Sequence, residues 1–277
     1  MAETAAPSGN GPAIESESWQ ALRVARDGDL LRVTLDNPEK ANALSPAIVR
    51  ELTALYRRPL LAAGVRAVIL SGAGRNFSAG ADLDHLRSLR DASAEEHRRD
   101  SERLRGLFEA VLRQEALTVA LVHGSCVAGG CGLATAHDFV VAADDARFLY
   151  SEVRIGFVAA LVATFLPLRV AGRDLRELLL APDFLAASRA LEIGLVNRVV
   201  PRGELEAAGT ALTAEILERA SSQSIALTKR LLLDALGRPL AEALERAAEV
   251  NALSRATEDC KQGIAHFLEH KRPPSWR

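Results

Sequence analysis

Apolar residues recur along this chain in two rhythms. Short apolar or alternating runs at residues 30–35, 65–71, 119–122, 139–142, 147–149 and 196–200 predict strands. Residues 19–26 pair with 30–35 in a predicted hairpin turned at Asp27-Gly28-Asp29, a composition that suits a tight turn. Helical spacing takes over elsewhere. Ser45 caps a helix that has Pro46 at its first position and runs to about Leu61. Residues 95–113 form an amphipathic, heavily charged helical segment, and helical patterns fill the chain from Val200 to Glu269. Strands alternating with helices, then helices alone, predict an α/β core over residues 19–200 and a helical C-terminal region over 201–277, with the break near Pro201-Arg202-Gly203. Residues 1–18 are rich in Ala, Gly, Pro, Ser and Glu. They lack the basic start and apolar core of a signal peptide and are expected to be a disordered lead.

Residues 116–137 contain no Asp, Glu, Lys or Arg over 22 positions, long enough to raise a membrane span. Four glycines and two histidines interrupt the run, and a buried strand, a turn and a small-residue helix account for it better. A second uncharged run, residues 155–168, is too short to span. A soluble, cytoplasmic protein is therefore expected, with no membrane partner. A net charge of −2 over 277 residues gives no case for nucleic acid either. Cys126, Cys131 and Cys260 are an odd set without scaffold spacing, as expected of reduced thiols.

Candidate chemistry gathers at two loops and one acid. The strand at 119–122 enters Gly124-Ser-Cys-Val-Ala-Gly-Gly-Cys-Gly132, where nothing larger than alanine occupies Ala128, Gly129 or Gly130. A ligand oxygen can approach such backbone closely, and the N–H groups at a helix start favour negative charge. A second small-residue loop, Ala79-Gly80-Ala81, follows the strand at 65–71. Asp82 beside it is open to two readings, a plain helix N-cap or part of a site. Two N–H donors from two loops can meet at one carbonyl oxygen, as an oxyanion hole requires. Glu152 lies in an apolar context. It is either paired with a neighbour such as Arg154 or unpaired, with a raised pKa suited to proton transfer.

Other chemistries fit less well. Gly72-Ala-Gly74 lacks the third glycine of a dinucleotide loop, where Phe77 stands. No nucleophile elbow surrounds Ser125 or Ser151. Cys126, Cys131, His123 and His137 match no zinc spacing, so no metal is expected. His85 and His97 fall in a charged region and are read as solvated, and the mixed charges of residues 87–105 as a solvated helix face.

Six ordered segments together resemble the crotonase superfamily, the enoyl-CoA hydratase/isomerase family. They are Asn37-Pro-Glu-Lys-Ala-Asn-Ala-Leu44, Phe77-Ser-Ala-Gly-Ala-Asp-Leu83, Gly124-Ser-Cys-Val-Ala-Gly-Gly-Cys131, Ser151-Glu-Val-Arg-Ile-Gly156, residues 190–201 and residues 258–269. The resemblance spans residues 24–276. It implies a spiral core of repeated ββα units, a helical C-terminal trimerisation region, and a homotrimer or dimer of trimers. It also implies an acyl-CoA thioester substrate, with no cofactor beyond the CoA it carries. By position, Ala81 and Gly129 N–H would hold the thioester oxygen and Glu152 would be the catalytic acid. Lys40, Ala43, Asp82, Leu83, Asp84, Gly130 and Gly132 would line the substrate and CoA path. Lys271, within His270-Lys271-Arg272, would supply a basic contact to CoA bound by another subunit. Leu86, Leu89, Phe157 and Val158 are expected in the acyl pocket wall.

The chain departs from the family pattern at one informative place. Two-acid hydratases carry a glutamate where this sequence has Gly132, and only Glu152 remains. One acid suffices to move a double bond, removing an α-proton and returning it at the γ-carbon. Hydration with one acid needs another group to hold the water. The segment Ser151–Gly156 and the C-terminal residues 266–276 resemble hydratase-type members, including methylglutaconyl-CoA hydratases. The expected activity is thus enoyl-CoA hydratase or isomerase, both open. Non-catalytic acyl-CoA binding, decarboxylation and thioester hydrolysis are the alternatives.

Overall fold

The computed structural model describes Ile14 and residues 17–276, so most of the expected N-terminal lead lies outside the described residues. The expected hairpin forms from β1 (Leu22–Asp27) and β2 (Leu30–Leu35), with Gly28 at φ +61° in its turn. Helix α1 (Pro46–Tyr56) starts as expected, the Ser45 hydroxyl accepting from Ile48 N–H. It ends short of the expected Leu61. Pro59 has no N–H to give and disfavours helical backbone at Arg58, so the chain leaves in turns.

Next come β3 (Ala67–Gly72), α2 (Leu83–Leu89), α3 (Ala94–Leu112) and β4 (Leu117–Val122). They are followed by β5 (Ser125–Val127), α4 (Gly129–Thr135), β6 (Phe139–Ala143) and β7 (Arg147–Leu149). Then follow α5 (Ala160–Phe165), α6 (Gly172–Leu180), β8 (Leu185–Ala186), α7 (Ala187–Glu192) and β9 (Arg198–Val200). The chain closes with α8 (Leu205–Arg219), α9 (Ser222–Asp234), α10 (Leu240–Ala256) and α11 (Glu258–His270). The short strands β5 and β8 are absent from the sequence reading: β5 falls inside the glycine-rich segment read as a turn, and β8 is only two residues long.

The strands form a six-stranded sheet ordered β1-β2-β3-β4-β6-β9 and a three-stranded one ordered β5-β7-β8. Apart from the β1–β2 hairpin, the large sheet is parallel. A parallel sheet is covered on both faces, hence the uninterrupted apolar strands. Val68, Leu70, Ala120 and Val122 face one core with Leu52, Leu107 and Phe108 from α1 and α3. Ile69, Val119, Leu121 and Val141 face a second core with Leu205, Leu212 and Leu217 of α8. Gly209 of α8 lies so close to the sheet that a Cβ there would meet Leu121 Cδ2 at 2.4 Å. The helical C-terminal region therefore begins with a helix that covers the second face of the main sheet. Helix α9 is tied in by Lys229, whose Nζ lies 2.7 Å from Ala116 O and 2.6 Å from Asp138 Oδ2.

Candidate active site

Three loops leave the C-terminal ends of β3, β4 and β7, the edge where open parallel sheets hold ligands. The first two lie side by side. Val127 N–H donates to Ser78 O at 2.9 Å, and Ser78 N–H donates to Ser125 O at 3.3 Å. Their closeness requires glycine. At Gly80, φ is +83° and a Cβ would lie 2.6 Å from Val127 O; at Gly130, a Cβ would lie 2.8 Å from Ser78 Cβ.

Several side chains hold this double loop. Asn42, fully buried, donates through Nδ2 to Ala73 O and Asn76 O at 2.9 Å each and accepts from Asn37 N–H at 3.0 Å. Ser78 Oγ donates to Asn42 O at 2.8 Å, and Asn76 Oδ1 accepts from Ser125 N–H at 3.0 Å. The sequence reading gives Asn42, Asn76 and Ser78 no role, although Asn42 and Ser78 lie within its quoted motifs and Asn76 borders one. Small polar residues between glycines carry no sign of their partners.

Ala81 and Gly129 each come at the end of one of these loops. The bond joining Leu44 to the first loop runs from Leu44 N–H to Gly80 O at 2.6 Å, leaving the Ala81 N–H outside it. Gly129 opens α4, where an N–H has no acceptor within the helix. Ala128 before it holds φ 48°, a left-handed value unusual for a residue with a Cβ. Gly130 is buried in the same first turn.

Glu152 follows β7 at the start of a single 3-10 turn, Glu152–Ile155. It is 9% exposed, and its Oε2 has no hydrogen-bond partner. Burial raises its pKa above the usual carboxylate range, with its own backbone N–H pulling slightly the other way. Arg154, the possible partner, points elsewhere, to Asp183 at 3.7 Å and to Pro182 O. Tyr150, two residues earlier, is also buried with its hydroxyl unpaired.

Gly132 lies on the first turn of α4, fully covered. A Cβ there would lie 2.6 Å from Val162 Cγ2 and 2.9 Å from Phe108 Cζ. Apolar side chains thus fill the place where two-acid relatives carry a carboxylate. Phe108 and Val162 escape the sequence reading because one sits in a heavily charged helical segment and the other in an uncharged run, each far along the chain from residue 132.

Lys40, Asp82 and Asp84 come together at the first loop. Lys40 Nζ stands 2.7 Å from Asp84 Oδ2 and 3.6 Å from Asp82 Oδ2, which raises the lysine's pKa and lowers that of Asp84. Asp82 also caps α2, accepting from Asp84 and His85 N–H, which is the N-cap reading of this residue. Ala43 is buried in the preceding turn, and Leu83 is exposed on α2. Lys271 stands apart at the end of α11, a helix packed on α9 and α10. Of the expected pocket wall, Leu86, Phe157 and Val158 are exposed and Leu89 is half-buried.

The histidines and cysteines of the second loop have internal partners. His137 accepts from Tyr56 Oη at 2.7 Å and donates to Leu133 O at 2.8 Å, and burial lowers its pKa to about 3. Cys131 Sγ donates to Cys126 O at 2.9 Å. His85, expected in solvent, is half-buried, its Nε2 2.7 Å from Asp100 Oδ1 where α2 meets α3.

The model of the family described as enoyl-CoA hydratase/isomerase matches residues 26–277. The chain belongs to the enoyl-CoA hydratase/isomerase family. A Thermus thermophilus protein provisionally named an enoyl-CoA hydratase is 43% identical over 89% of this chain and 97% of its own length. The human mitochondrial Delta(3,5)-Delta(2,4)-dienoyl-CoA isomerase is 34% identical over 92% of this chain and 81% of its own. The crystal structure of a Mycobacterium smegmatis enoyl-CoA hydratase superposes with a TM-score of 0.85 at 30% identity, covering 93% and 99% of the two chains. The fold is the crotonase fold, and the chain is an acyl-CoA-processing enzyme of the hydratase/isomerase, lyase-or-isomerase class. Among the described residues no helix is long and apolar enough to cross a membrane.

Proposed function

We propose that this member of the family moves the double bond of an enoyl-CoA thioester from the 3- to the 2-position by a one-acid proton shuttle. Glu152, ionised, removes a proton from the α-carbon. The N–H groups of Ala81 and Gly129 hold the oxygen of the resulting dienolate. The protonated Glu152 then returns the proton at the γ-carbon. The CoA lies along Lys40, Ala43 and the loop 81–84, and Lys271 of another copy reaches its phosphates in a homotrimer or dimer of trimers. The chemistry asks nothing of a metal or redox group.

The observation that carries this reading is the apolar filling around Gly132. Val162 and Phe108 take the space of a second carboxylate. A buried, unpaired Glu152 with a raised pKa suits a group that must both take and give a proton. Hydration is the second reading, favoured by the 43% identity to the Thermus thermophilus protein.

The test is a paired assay of a 2-enoyl-CoA and a 3-enoyl-CoA of equal chain length, with products resolved by mass and with Glu152→Gln alongside. Conversion of the 3-enoyl substrate without water addition, lost in the variant, is expected. A hydrated product lost in the variant would select hydration, and near-native turnover by Glu152→Gln would remove Glu152 from the mechanism. Binding without turnover would mark a non-catalytic acyl-CoA binder. Free CoA would mark a thioesterase, and carbon dioxide from a malonyl-type thioester a decarboxylase.

A further inference from the structure

Phe108 lies near the C-terminal end of α3, only 3% exposed, with its ring edge-on to Phe165 at 5.6 Å between centroids. One edge of the ring reaches Gly132, where Cζ would stand 2.9 Å from a Cβ. The ring also forms part of the wall of a groove of about 370 Å3. Leu112, Leu161, Phe165, Leu233 and Leu236 line that groove as well. A volume in the range of about 300–1,000 Å3 is that of a small-molecule pocket. One aromatic ring therefore separates the catalytic helix start from a groove between α3, α5 and α9, in which these apolar side chains share the lining with Arg105, Glu109, Arg113 and Thr164.

We propose that Phe108 sets the acyl-chain length this enzyme accepts. The inference rests on the reading that the reacting carbons lie between Glu152 and Gly132. In the native enzyme the acyl chain ends against Phe108 and Val162, so short chains are preferred. Without the ring, the space beside Gly132 opens into the groove, and a longer chain passes through to lie on Leu112, Leu161 and Leu236. In an apolar pocket, one methylene more or less changes kcat/KM by about 10–200-fold, so a displaced end wall gives a measurable change.

The experiment compares kcat/KM for enoyl-CoA substrates from butenoyl to tetradecenoyl, with folding of each variant checked by circular dichroism. The native enzyme should lose about tenfold or more between hexenoyl- and dodecenoyl-CoA. Phe108→Ala should raise the dodecenoyl-to-hexenoyl ratio by about tenfold or more. Phe108→Leu keeps more of the core volume and should give a smaller change in the same direction, which preserves the test if the alanine variant does not fold. Adding Leu236→Trp to Phe108→Ala should reverse the gain by filling the groove. An unchanged ratio in the folded variants would overturn the proposal, as would a native enzyme that turns over dodecenoyl- and hexenoyl-CoA equally well. Failure of the acid assignment is distinguishable: an active Glu152→Gln would remove the shuttle without altering the chain-length ratio.

Discussion

Position 132 has no room for a side chain, so restoring the acid typical of two-acid hydratases should not restore their chemistry. Gly132→Glu should be destabilising by about 1–3 kcal/mol, the usual cost of overpacking a filled site. It should produce no new hydration product. Gly132→Glu with Val162→Ala should recover much of that stability, as a pair of denaturation curves would show. Glu152 makes a prediction of opposite sign. Burial raises its folded pKa, so the folded protein holds this proton more tightly than the unfolded chain does. The associated stabilisation is complete below the unfolded pKa and is lost as pH rises through the raised folded value. Glu152→Gln should therefore be more stable than the native protein at about pH 8, with the difference closing in acid. The acid limb of kcat/KM should lie above the usual carboxylate range, since the base must first ionise. The missing acid at 132 and the lone acid at 152 were legible in the sequence, because both sit inside recognisable segments. The apolar groups that fill the gap were not, because contact between α3, α4 and α5 leaves no local trace.

At the scale of elements, the two loops work as one piece. Gly80→Ala would drive a Cβ to 2.6 Å from Val127 O while forcing alanine to φ +83°. The loops must then separate, moving the Ala81 N–H away from that of Gly129. In the proposed role of these two N–H groups as an oxyanion hole, loss of one donor is worth about 2.7–4 kcal/mol at the transition state, so kcat should fall by about 10²–10³. KM should change less, and steady-state kinetics on the preferred enoyl-CoA separates the two. Strand, glycine turn and short helix were readable at residues 119–135 from the apolar run and the small residues. The pairing of β5 with β7 was not, and that pairing, with Ala128 N–H donating to Leu149 O at 2.7 Å, ties the strand before Glu152 to the loop that opens α4. The end of α1 was misjudged for a local reason, Pro59, that the sequence did display.

Across the whole molecule, the alternation of strands and helices foretold an α/β core, which the structure shows as a mostly parallel sheet with apolar side chains packed on both faces. What the pattern did not convey is that α8 covers the second face of that sheet, because its residues look like those of any amphipathic helix. Helices α10 and α11 leave Leu240, Leu244, Leu253, Phe267 and Leu268 each more than half exposed. Such surface on one chain fits assembly with further copies. Sedimentation velocity should give about three or six times the mass of a 29.7 kDa chain, and Leu240→Glu with Leu244→Glu should reduce it toward one. The loops of the site hang on β3, β4 and β7, so the groups of the proposed site, Ala81, Gly129 and Glu152, meet only when distant strands have paired. Pairing of that kind closes long stretches of chain and is slow compared with winding a helix. During refolding from denaturant, turnover should return after the helical circular dichroism signal, never before it. Recovered turnover would then report a correctly assembled sheet, information that a helical spectrum alone does not carry.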